Sequence, residues 1–528
     1  MLENLSTQQR LLLATGLSVI FFVIYSAIFP PQKTEITETN KTKSENQAPN
    51  LANNGEVLTP TAPTSSPIST NNISTEDKLV TVKSKDFILT IDNFGRISTK
   101  TLLGEKYKND KGVQAQLVTK FSPKPLEIRF EDVDLNLLAF KNEYKSDKMA
   151  IDVSHTPQKV VLTQVLDEVI VTKKLTFYPA GNYDVKIEVT GGKRFFVSNG
   201  MRPDVNEFGF VVQGAMVKVG DQITIIEDED ARGTSIFRDV MFLSSFDRYY
   251  ASIFYNLAPT QNIVIEGDKF ENPMVFVEGL QQVNFSAYLG AKDFEILESL
   301  NPKLTDAIEY GVITLIAEPI FYILKEFYAI FGNWGWAIVA MTLLIRLFLY
   351  PLTYKGMLSM QKLKEIAPEM KELQRKYKGN PQQLQAKMME LYKKRGANPI
   401  GGCFPLLLQI PIFFAIYRVL VNAVELQGAE WILWVDDLAK MDPYFILPIL
   451  MGASMFWQQH VTPSNFTDPM QEKIFKFLPI IFTFFFITFP AGLTLYWFVN
   501  NLFSIGQQYI VNFQFAKIKA KKEAEEQK

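Results

Sequence analysis

The residues that could do chemistry in this chain are few, and they exclude most kinds of catalytic site. Its 528 residues include two histidines, His155 and His460, and one cysteine, Cys403. A disulfide framework needs paired cysteines, and a zinc site built from His and Cys needs about three or four ligands, so both are excluded. The chain also lacks the nucleophile-elbow, zinc-protease, P-loop, dinucleotide-binding and Cys-x-x-Cys motifs. We therefore expect no enzymatic activity and no cofactor or metal ion.

Polar side chains at unusual positions are the stronger signal. Arg346 is the only ionised residue in the apolar stretch Trp334–Tyr350. A charged side chain at the centre of a bilayer costs from about 2.5 to more than 10 kcal/mol, so such a residue usually faces a cavity or marks a function. The alternative is that Arg346 extends its side chain to the lipid headgroups on the side of Lys355.

Two further apolar stretches place polar groups at a similar depth. Gln409 lies six residues into the stretch Cys403–Val424. In the last apolar stretch, four residues at spacings of three and four share one helix face: Trp497, Asn500, Ser504 and Gln508. Together with Arg346 they predict a hydrophilic recess open to the cytoplasm. The stripe alone could also be interhelical hydrogen bonds, worth about 0.6 kcal/mol each.

Six apolar stretches carry or surround these residues, and a hydrocarbon core of about 30 Å sets the length that each needs. They are Leu11–Phe29, Trp334–Tyr350, Cys403–Val424, Pro443–Trp457, Phe477–Phe489 and Ala491–Phe513. We interpret the first as an uncleaved anchor, because Ser26-Ala27-Ile28 matches a signal-peptide cleavage site poorly. The predicted fold class is a membrane protein, an α-helical bundle of six transmembrane helices with a large β-sandwich domain inserted between the first and second spans.

The distribution of charge orients these spans. Lys355–Arg395 carries eleven Lys or Arg and four acids, and the tail Ala516–Lys528 carries five and three, whereas Glu425–Asp442 carries one Lys and five acids. The positive-inside rule places the first two segments in the cytoplasm. Both termini are then cytoplasmic, and residues 30–330 lie outside the cytoplasmic membrane. The net charge of −2 is close to zero, so the chain lacks the positive excess that would favour bulk binding of nucleic acid.

The outer residues form two parts. Pro31–Thr75 contains 26 Asn, Thr, Ser or Pro among 45 residues and no aromatic residue, which is typical of a flexible tether. From Lys78 to about Ser299 apolar and polar residues alternate with the period of a half-buried strand. Strands are predicted at Phe87–Ile91, Val169–Tyr178, Asp184–Val189, Phe210–Val219, Ile223–Ile226 and Asn262–Glu266, and the second and third of these form a hairpin across Pro179–Asn182.

Leu304–Phe331 has a helical period but five charged residues, which predicts an amphipathic helix in the outer interface. Arg418, Asn422 and Glu425 fall near the outer end of the third span and are expected at that interface as well. The predicted segments are 1–30 (anchor), 31–77 (linker), 78–300 (β-sandwich domain), 301–332 (interfacial helix), 333–354 (second span), 355–397 (cytoplasmic hairpin), 398–515 (spans three to six) and 516–528 (basic tail).

The predicted hairpin has an apolar side and a basic side. Its apolar residues recur at three- and four-residue spacing: Leu363, Ile366, Met370, Leu373, Tyr377, Leu384, Met388 and Leu391. Its basic residues are candidates for docking: Lys355, Lys362, Lys364, Arg375, Lys376, Lys393, Lys394 and Arg395. They could rest on anionic lipid headgroups or bind a ribosome or a targeting factor, and the sequence does not separate these possibilities.

Several motifs resemble the YidC/Oxa family of membrane protein insertases. Asn398-Pro399-Ile400-Gly401-Gly402-Cys403-Phe404-Pro405 and the residues to Phe413 are similar to the family's third-span signature. Tyr350-Pro351-Leu352-Thr353, Asp442-Pro443-Tyr444 and Phe489-Pro490-Ala491-Gly492-Leu493 are similar to other family motifs. The resemblance covers nearly the whole chain, including the long outer domain of Gram-negative members.

This resemblance implies an insertase and chaperone of the bacterial inner membrane that acts on nascent membrane proteins, alone or beside the Sec translocon, with its large domain in the periplasm. It implies that Arg346 lies in a groove open to the cytoplasm, that Thr342 lines the same region, and that spans three and five guide substrate helices into lipid. Tyr496 fits the family pattern, but Trp497 stands where a second tyrosine is common, so a hydroxyl contact there is lost. Two other classes remain possible: a secondary transporter or channel, which solute flux would reveal, and an outer binding module with a simple anchor.

Overall fold

The structure, a computed structural model, describes residues 78–108, 111–205, 211–397, 399–462 and 469–526. The predicted first span Leu11–Phe29 and the predicted linker 31–77 lie outside these residues. Internal packing divides the chain into two units between Ile308 and Glu309. The described part of the first unit is rich in β-strands, and that of the second is helical.

The strands of the first unit are β1 (Lys78–Lys83), β2 (Phe87–Asp92), β3 (Ile97–Leu102), β4 (Ile128–Phe130), β5 (Lys145–Ser146), β6 (Ala150–Asp152), β7 (Gln158–Leu166), β8 (Val169–Phe177), β9 (Asn182–Val189), β10 (Phe195–Ser198), β11 (Gly214–Val219), β12 (Gln222–Glu227), β13 (Thr234–Phe237), β14 (Val240–Phe246), β15 (Tyr250–Tyr255), β16 (Ile263–Gly267), β17 (Pro273–Gly279) and β18 (Gln282–Ala291). Its helices are α1 (Val133–Ala139) and α2 (Phe294–Leu300).

These strands form three sheets, with four strands in the order β3-β2-β1-β6, five in the order β13-β16-β17-β10-β4, and nine in the order β12-β11-β14-β15-β18-β9-β8-β7-β5. The described pairings are antiparallel except for β1 with β6. Strand β17 is buried along its whole length and packs against β11, β14 and β18 of the nine-stranded sheet. The two larger sheets therefore pack against each other as layers, and the four-stranded sheet is a third one, of which the sequence predicted the strand β2.

The predicted β-hairpin across Pro179–Asn182 is present as β8 and β9, which pair from Val171 with Val189 to Phe177 with Tyr183. Alternate side chains of β9 are buried, as its period of two predicted. Gly181 closes the turn with φ +89°, a conformation that side chains with a Cβ rarely adopt. The other predicted strands overlap β2, β11, β12 and β16.

Two fully buried lysines stabilise the junctions of this unit. The ammonium nitrogen of Lys173 donates to the carbonyls of Gly95 and Leu126, both at 2.8 Å, and that of Lys100 donates to Gly181 at 3.0 Å. Burial lowers the pKa of Lys100 and of Lys173 from 10.5 to about 7. Each side chain therefore loses much of its charge when the unit folds.

Stability of the β-rich unit should consequently rise with pH. Above about pH 7 the unfolded chain holds protons on both lysines that the folded chain has released, so each lysine adds up to about 1 kcal/mol per pH unit until the unfolded lysines titrate near 10.5. Hydrogen exchange of β8 and β9 peptides in the full chain measures this. The Lys100→Met/Lys173→Met variant should lose most of the slope, and an unchanged slope would assign it to other groups.

The second unit contains eight α-helices within its described residues. They are α3 (Thr314–Phe331), α4 (Trp334–Glu365), α5 (Ala367–Lys376), α6 (Pro381–Arg395), α7 (Pro399–Asn422), α8 (Ile446–Val461), α9 (Pro469–Phe486) and α10 (Ala491–Glu526). Helix α10 packs along α4 and α8, α4 also packs against α3 and α7, and α8 packs against α9. These contacts make α4 and α10 the centre of the bundle.

The helix bounds correct one expectation and lengthen one predicted element. The predicted interfacial helix Leu304–Phe331 is a 3₁₀ segment at Pro302–Ala307 and a separate helix, α3, because Gly311 takes φ +69° between them. Helix α4 continues past Tyr350 to Glu365 without a break at Pro351. Among the described residues α4 is also the one helix long and apolar enough to cross a membrane by composition, and Gln409–Asn422 is a shorter apolar segment.

Candidate functional site

The site is built first on the inner face of α4. Thr342 and Arg346 are four residues apart, share that face and are both buried. Their neighbours Leu343, Leu347 and Phe348 are exposed on the opposite side. The helix thus presents polar groups to the interior of the bundle and apolar groups to its surroundings, the reverse of a helix in a water-soluble protein.

Arg346 is held by a neutral amide from α10. Its Nε donates to Asn500 Oδ1 at 2.7 Å, and Gln409 Nε2 from α7 donates to the same oxygen at 3.4 Å. The Arg346 side chain is only 7% exposed. Among the described residues, no carboxylate forms an ion pair with it, and no hydrogen bond joins its two terminal nitrogens to another group. Three helices therefore meet at one buried charge without neutralising it.

Such an arrangement costs stability, because desolvating an ion carries a penalty of several kcal/mol. A hydrogen bond from a charged group contributes about 1.5–3 kcal/mol, which offsets part of that penalty. Thr342 does not contribute directly, since its hydroxyl donates to Ile338 O on its own helix at 2.7 Å. The guanidinium is thus well oriented and poorly compensated, which suits a site that receives an external acceptor.

The predicted stripe on α10 does face the interior, but its members make different contacts. Tyr496, Asn500, Ser504 and Gln508 are buried. Tyr496 lies close to Gln409. Trp497 lies in an aromatic cluster instead, at ring-centroid distances of 4.7 Å from Phe413, 5.1 Å from Phe486 and 5.8 Å from Phe482. The polar and aromatic groups therefore lie side by side on neighbouring faces of α10.

Two further polar contacts join α10 to the bundle, and the sequence did not reveal them. Asn501 Nδ2 donates to Ser454 Oγ of α8 at 3.0 Å. Nearer the hairpin of α5 and α6, Asn512 Oδ1 accepts from Gln361 of α4 and from Gln508 at 2.7 Å. The spacing of Gln508 predicted its inward face but not its contact with Asn512, and Gln361 is 151 residues from Asn512 in the chain.

The C-terminal end of α7 contacts Glu309, a residue that the sequence did not single out for binding. Arg418 Nη1 lies 3.5 Å from Glu309 Oε2, and Asn422 Nδ2 donates to the Glu309 carbonyl at 2.7 Å. Glu309 and Asn422 are both buried. Glu425, predicted beside them, lies in a short 3₁₀ segment at Val424–Leu426. These contacts fix the end of α7 opposite to Gln409.

The hairpin residues divide as predicted into a core and an exposed basic surface. Leu363, Ile366, Met370, Leu391 and Ala397 form a buried cluster, and Leu373 and Met388 pack against it. All eight predicted docking residues are exposed. Arg395 pairs with Glu369 at 2.6 Å, and Lys362 donates to the Gly396 carbonyl at 3.3 Å. These two cations therefore stabilise the hairpin itself.

Large apolar side chains are exposed around the bundle. Those with more than half of their surface exposed include Phe348 on α4, Ile449 and Phe456 on α8, and Phe477, Ile481 and Phe484 on α9. A surface of this kind is typical of contact with lipid or with another apolar surface. The fold and site thus define a membrane protein whose helices carry polar groups inward and apolar groups outward.

Comparisons with known proteins agree with that class. Residues 326–519 match the family model described as 60Kd inner membrane protein, and residues 260–323 match the YidC periplasmic domain.

Proteins called membrane protein insertase YidC are similar along the chain. The one from Wolinella succinogenes is 51% identical, covering 99% of this chain and 97% of the relative. Those from Campylobacter jejuni and Helicobacter pylori are 47% and 45% identical, covering 98% and 95% of each chain. The chain belongs to the YidC family of membrane protein insertases, which confirms the resemblance in its motifs.

A close contact near the start of α4 tests how tightly the bundle is packed. A Cβ added to Gly335 would lie 2.1 Å from Trp431 Cδ1, so Gly335→Ala must displace the indole. We expect a loss of about 1–3 kcal/mol. All six tryptophans lie in the helical unit, so thermal unfolding in detergent can be followed by their fluorescence. Gly506→Ala is the control, because nothing lies within 4 Å of its added Cβ. Equal midpoints for both variants would contradict the packing described.

Proposed function

We propose that Arg346, Asn500 and Gln409 form the part of a groove that receives the hydrophilic segment of a nascent membrane protein. The groove gives that segment a polar place to reside partway across the hydrocarbon core, which lowers the barrier to its transfer. The adjoining apolar segment then partitions into lipid and supplies the driving force. The activity requires no bond chemistry, and Thr342, Tyr496, Trp497 and Ser504 line the same region.

The observation that carries this proposal is the buried Arg346 with a neutral partner. An ionised residue inside a membrane bundle is usually paired with another ionised residue or with backbone carbonyls. Here the compensating group within the described chain is one amide oxygen, 2.7 Å from Nε. An acidic residue of a substrate would supply the missing charge for as long as it occupies the groove.

The proposed membrane topology has six spans with both termini in the cytoplasm. The sequence stretch Leu11–Phe29 is the first of these spans. Helices α4, α7, α8, α9 and α10 are the other five. Support comes from the exposed apolar side chains on α4, α8 and α9 and from the basic residues of the hairpin and tail. In this orientation the β-rich unit is periplasmic, as the matched periplasmic-domain family suggests.

The proposed exit route for the substrate's apolar segment lies between α7 and α9. The aromatic cluster of Trp497, Phe413, Phe482 and Phe486 joins these two helices to α10. Phe484 and Ile481 lie within two residues of Phe482, a member of that cluster, and are exposed outward on α9. An apolar helix leaving the polar site would therefore meet aromatic surface first and lipid next.

The proposed partners follow from the two exposed surfaces. Nascent membrane proteins enter the groove, with the Sec translocon as a second route of delivery. The basic hairpin docks a ribosome or a targeting factor, and anionic lipids could neutralise the same cations. Arg375, Lys376, Lys393 and Lys394 are the best candidates for docking, since they are exposed and no salt bridge joins them to a described acid.

Replacing the central arginine should impair one class of substrate. Arg346→Ala removes the charge, so insertion of a substrate with an acidic translocated tail should slow by about tenfold or more. Arg346→Lys keeps the charge and should be largely tolerated. Insertion rates in proteoliposomes measure both, with an otherwise identical neutral tail as the matched substrate. Equal rates for Arg346→Ala and the unmodified protein on the acidic tail would refute the groove proposal.

The hairpin can be tested separately from the groove. Changing Arg375, Lys376, Lys393 and Lys394 to Glu should lower insertion of ribosome-bound chains by about tenfold, because docking relies on positive charge. Insertion of a released, purified substrate should remain near normal. The control Glu369→Ala/Arg395→Ala removes one acid and one base, so the net charge of the hairpin is kept. If the reversed variant inserted ribosome-bound chains at the normal rate, the docking role would be lost.

A further inference from the structure

One side chain, Asn500, determines how the charge of Arg346 is presented. Both Arg346 Nε and Gln409 Nε2 are donors, and both point to the same atom of Asn500. An amide nitrogen cannot accept from either, so this atom is the carbonyl oxygen. The backbone of Asn500 is also fixed, because Ser504 Oγ donates to its carbonyl at 2.8 Å. The acceptor is therefore held in place by α10 and shared by α4 and α7.

Bonding at Nε leaves the other edge of the guanidinium available. The planar group has five N–H donors, and one of them is used by Asn500. The fork formed by the two terminal nitrogens fits a carboxylate with two parallel hydrogen bonds. Nothing in the described part of the chain occupies that fork. A substrate carboxylate that reached the fork would have no partner to displace.

The neutrality of Asn500 is as important as its position. An aspartate in its place would also accept from Nε, but its negative charge would pair with Arg346 and cancel the field that attracts an acidic tail. An apolar residue would leave the guanidinium without a fixed orientation. An amide is the side chain of this size that orients the arginine and leaves its charge uncompensated.

We infer that Asn500 is a positioning residue that gives the groove its preference for acidic translocated segments, an inference that rests on the proposed function of Arg346. It acts through Arg346 and does not itself need to touch the substrate. The quantity it controls is the ratio of the insertion rates of acidic and neutral tails. A residue that merely supports the fold would lower both rates together and leave that ratio unchanged.

The test compares Asn500→Asp with Arg346→Ala in the full-length protein in proteoliposomes. Substrates carry tails of equal length, either neutral or with two acidic residues. Asn500→Asp should lower the ratio of the insertion rates of acidic and neutral tails by about tenfold, as Arg346→Ala does. Asn501→Asp is the control, because it places the same charge one residue away, where Asn501 contacts Ser454 of α8, and it should keep the preference.

Asn500→Ser provides a second test that does not depend on whether Asn500→Asp folds. Asn500→Ser shortens the acceptor without adding charge, so it should reduce the preference about threefold to tenfold, and Asn500→Gln should restore part of it. If Arg346→Ala loses the preference but Asn500→Asp and Asn500→Ser both keep it, the inference about Asn500 is overturned and the groove proposal stands. If Arg346→Ala itself keeps the preference, both are overturned.

Discussion

A positive charge buried among apolar helices and held by a neutral amide is the constraint on which the helical unit depends. Arg346 sits where desolvation is costly, and its fixed partner within the described chain, Asn500, carries no charge. The bundle must therefore supply the energy that keeps this group inside. That energy comes from packing and from polar contacts elsewhere, such as Asn501 with Ser454 and Asn422 with the carbonyl of Glu309.

The surrounding elements can be understood as the support for that charge. Helices α4 and α10, which carry Arg346 and Asn500, pack against each other at the centre of the bundle. Close approach at Gly335 fixes the start of α4 against Trp431, and the hairpin core begins at its other end with Leu363. Apolar side chains cover the outside, so the polar interior and the apolar exterior are set by the same helix faces. An insertase needs this combination, because its substrate is polar in one part and apolar in the next.

Much of this arrangement could be predicted from the sequence where the signal is local. Spacing on one helix predicted that Asn500, Ser504 and Gln508 share an inward face, the family resemblance added Thr342 to Arg346, and alternation predicted β8 and β9. The partners could not be predicted, because Arg346 and Asn500 are 154 residues apart and Glu309 and Asn422 are 113 apart. The aromatic contacts of Trp497 could not be predicted either, since the rings around it come from other helices. The break at Gly311 was missed because the helical period continues across it.

Where the hydrophilic segment of a substrate resides during insertion is the most direct test of the groove. A photoreactive residue at Ser504, on the inward face of α10, or at Phe348, on the exposed face of α4, can be crosslinked to a stalled nascent chain. The acidic segment should crosslink from position 504 and hardly at all from position 348, and the apolar segment should show the reverse. Equal crosslinking of the acidic segment from both positions would contradict a polar groove and place the substrate at the lipid-facing surface from the start.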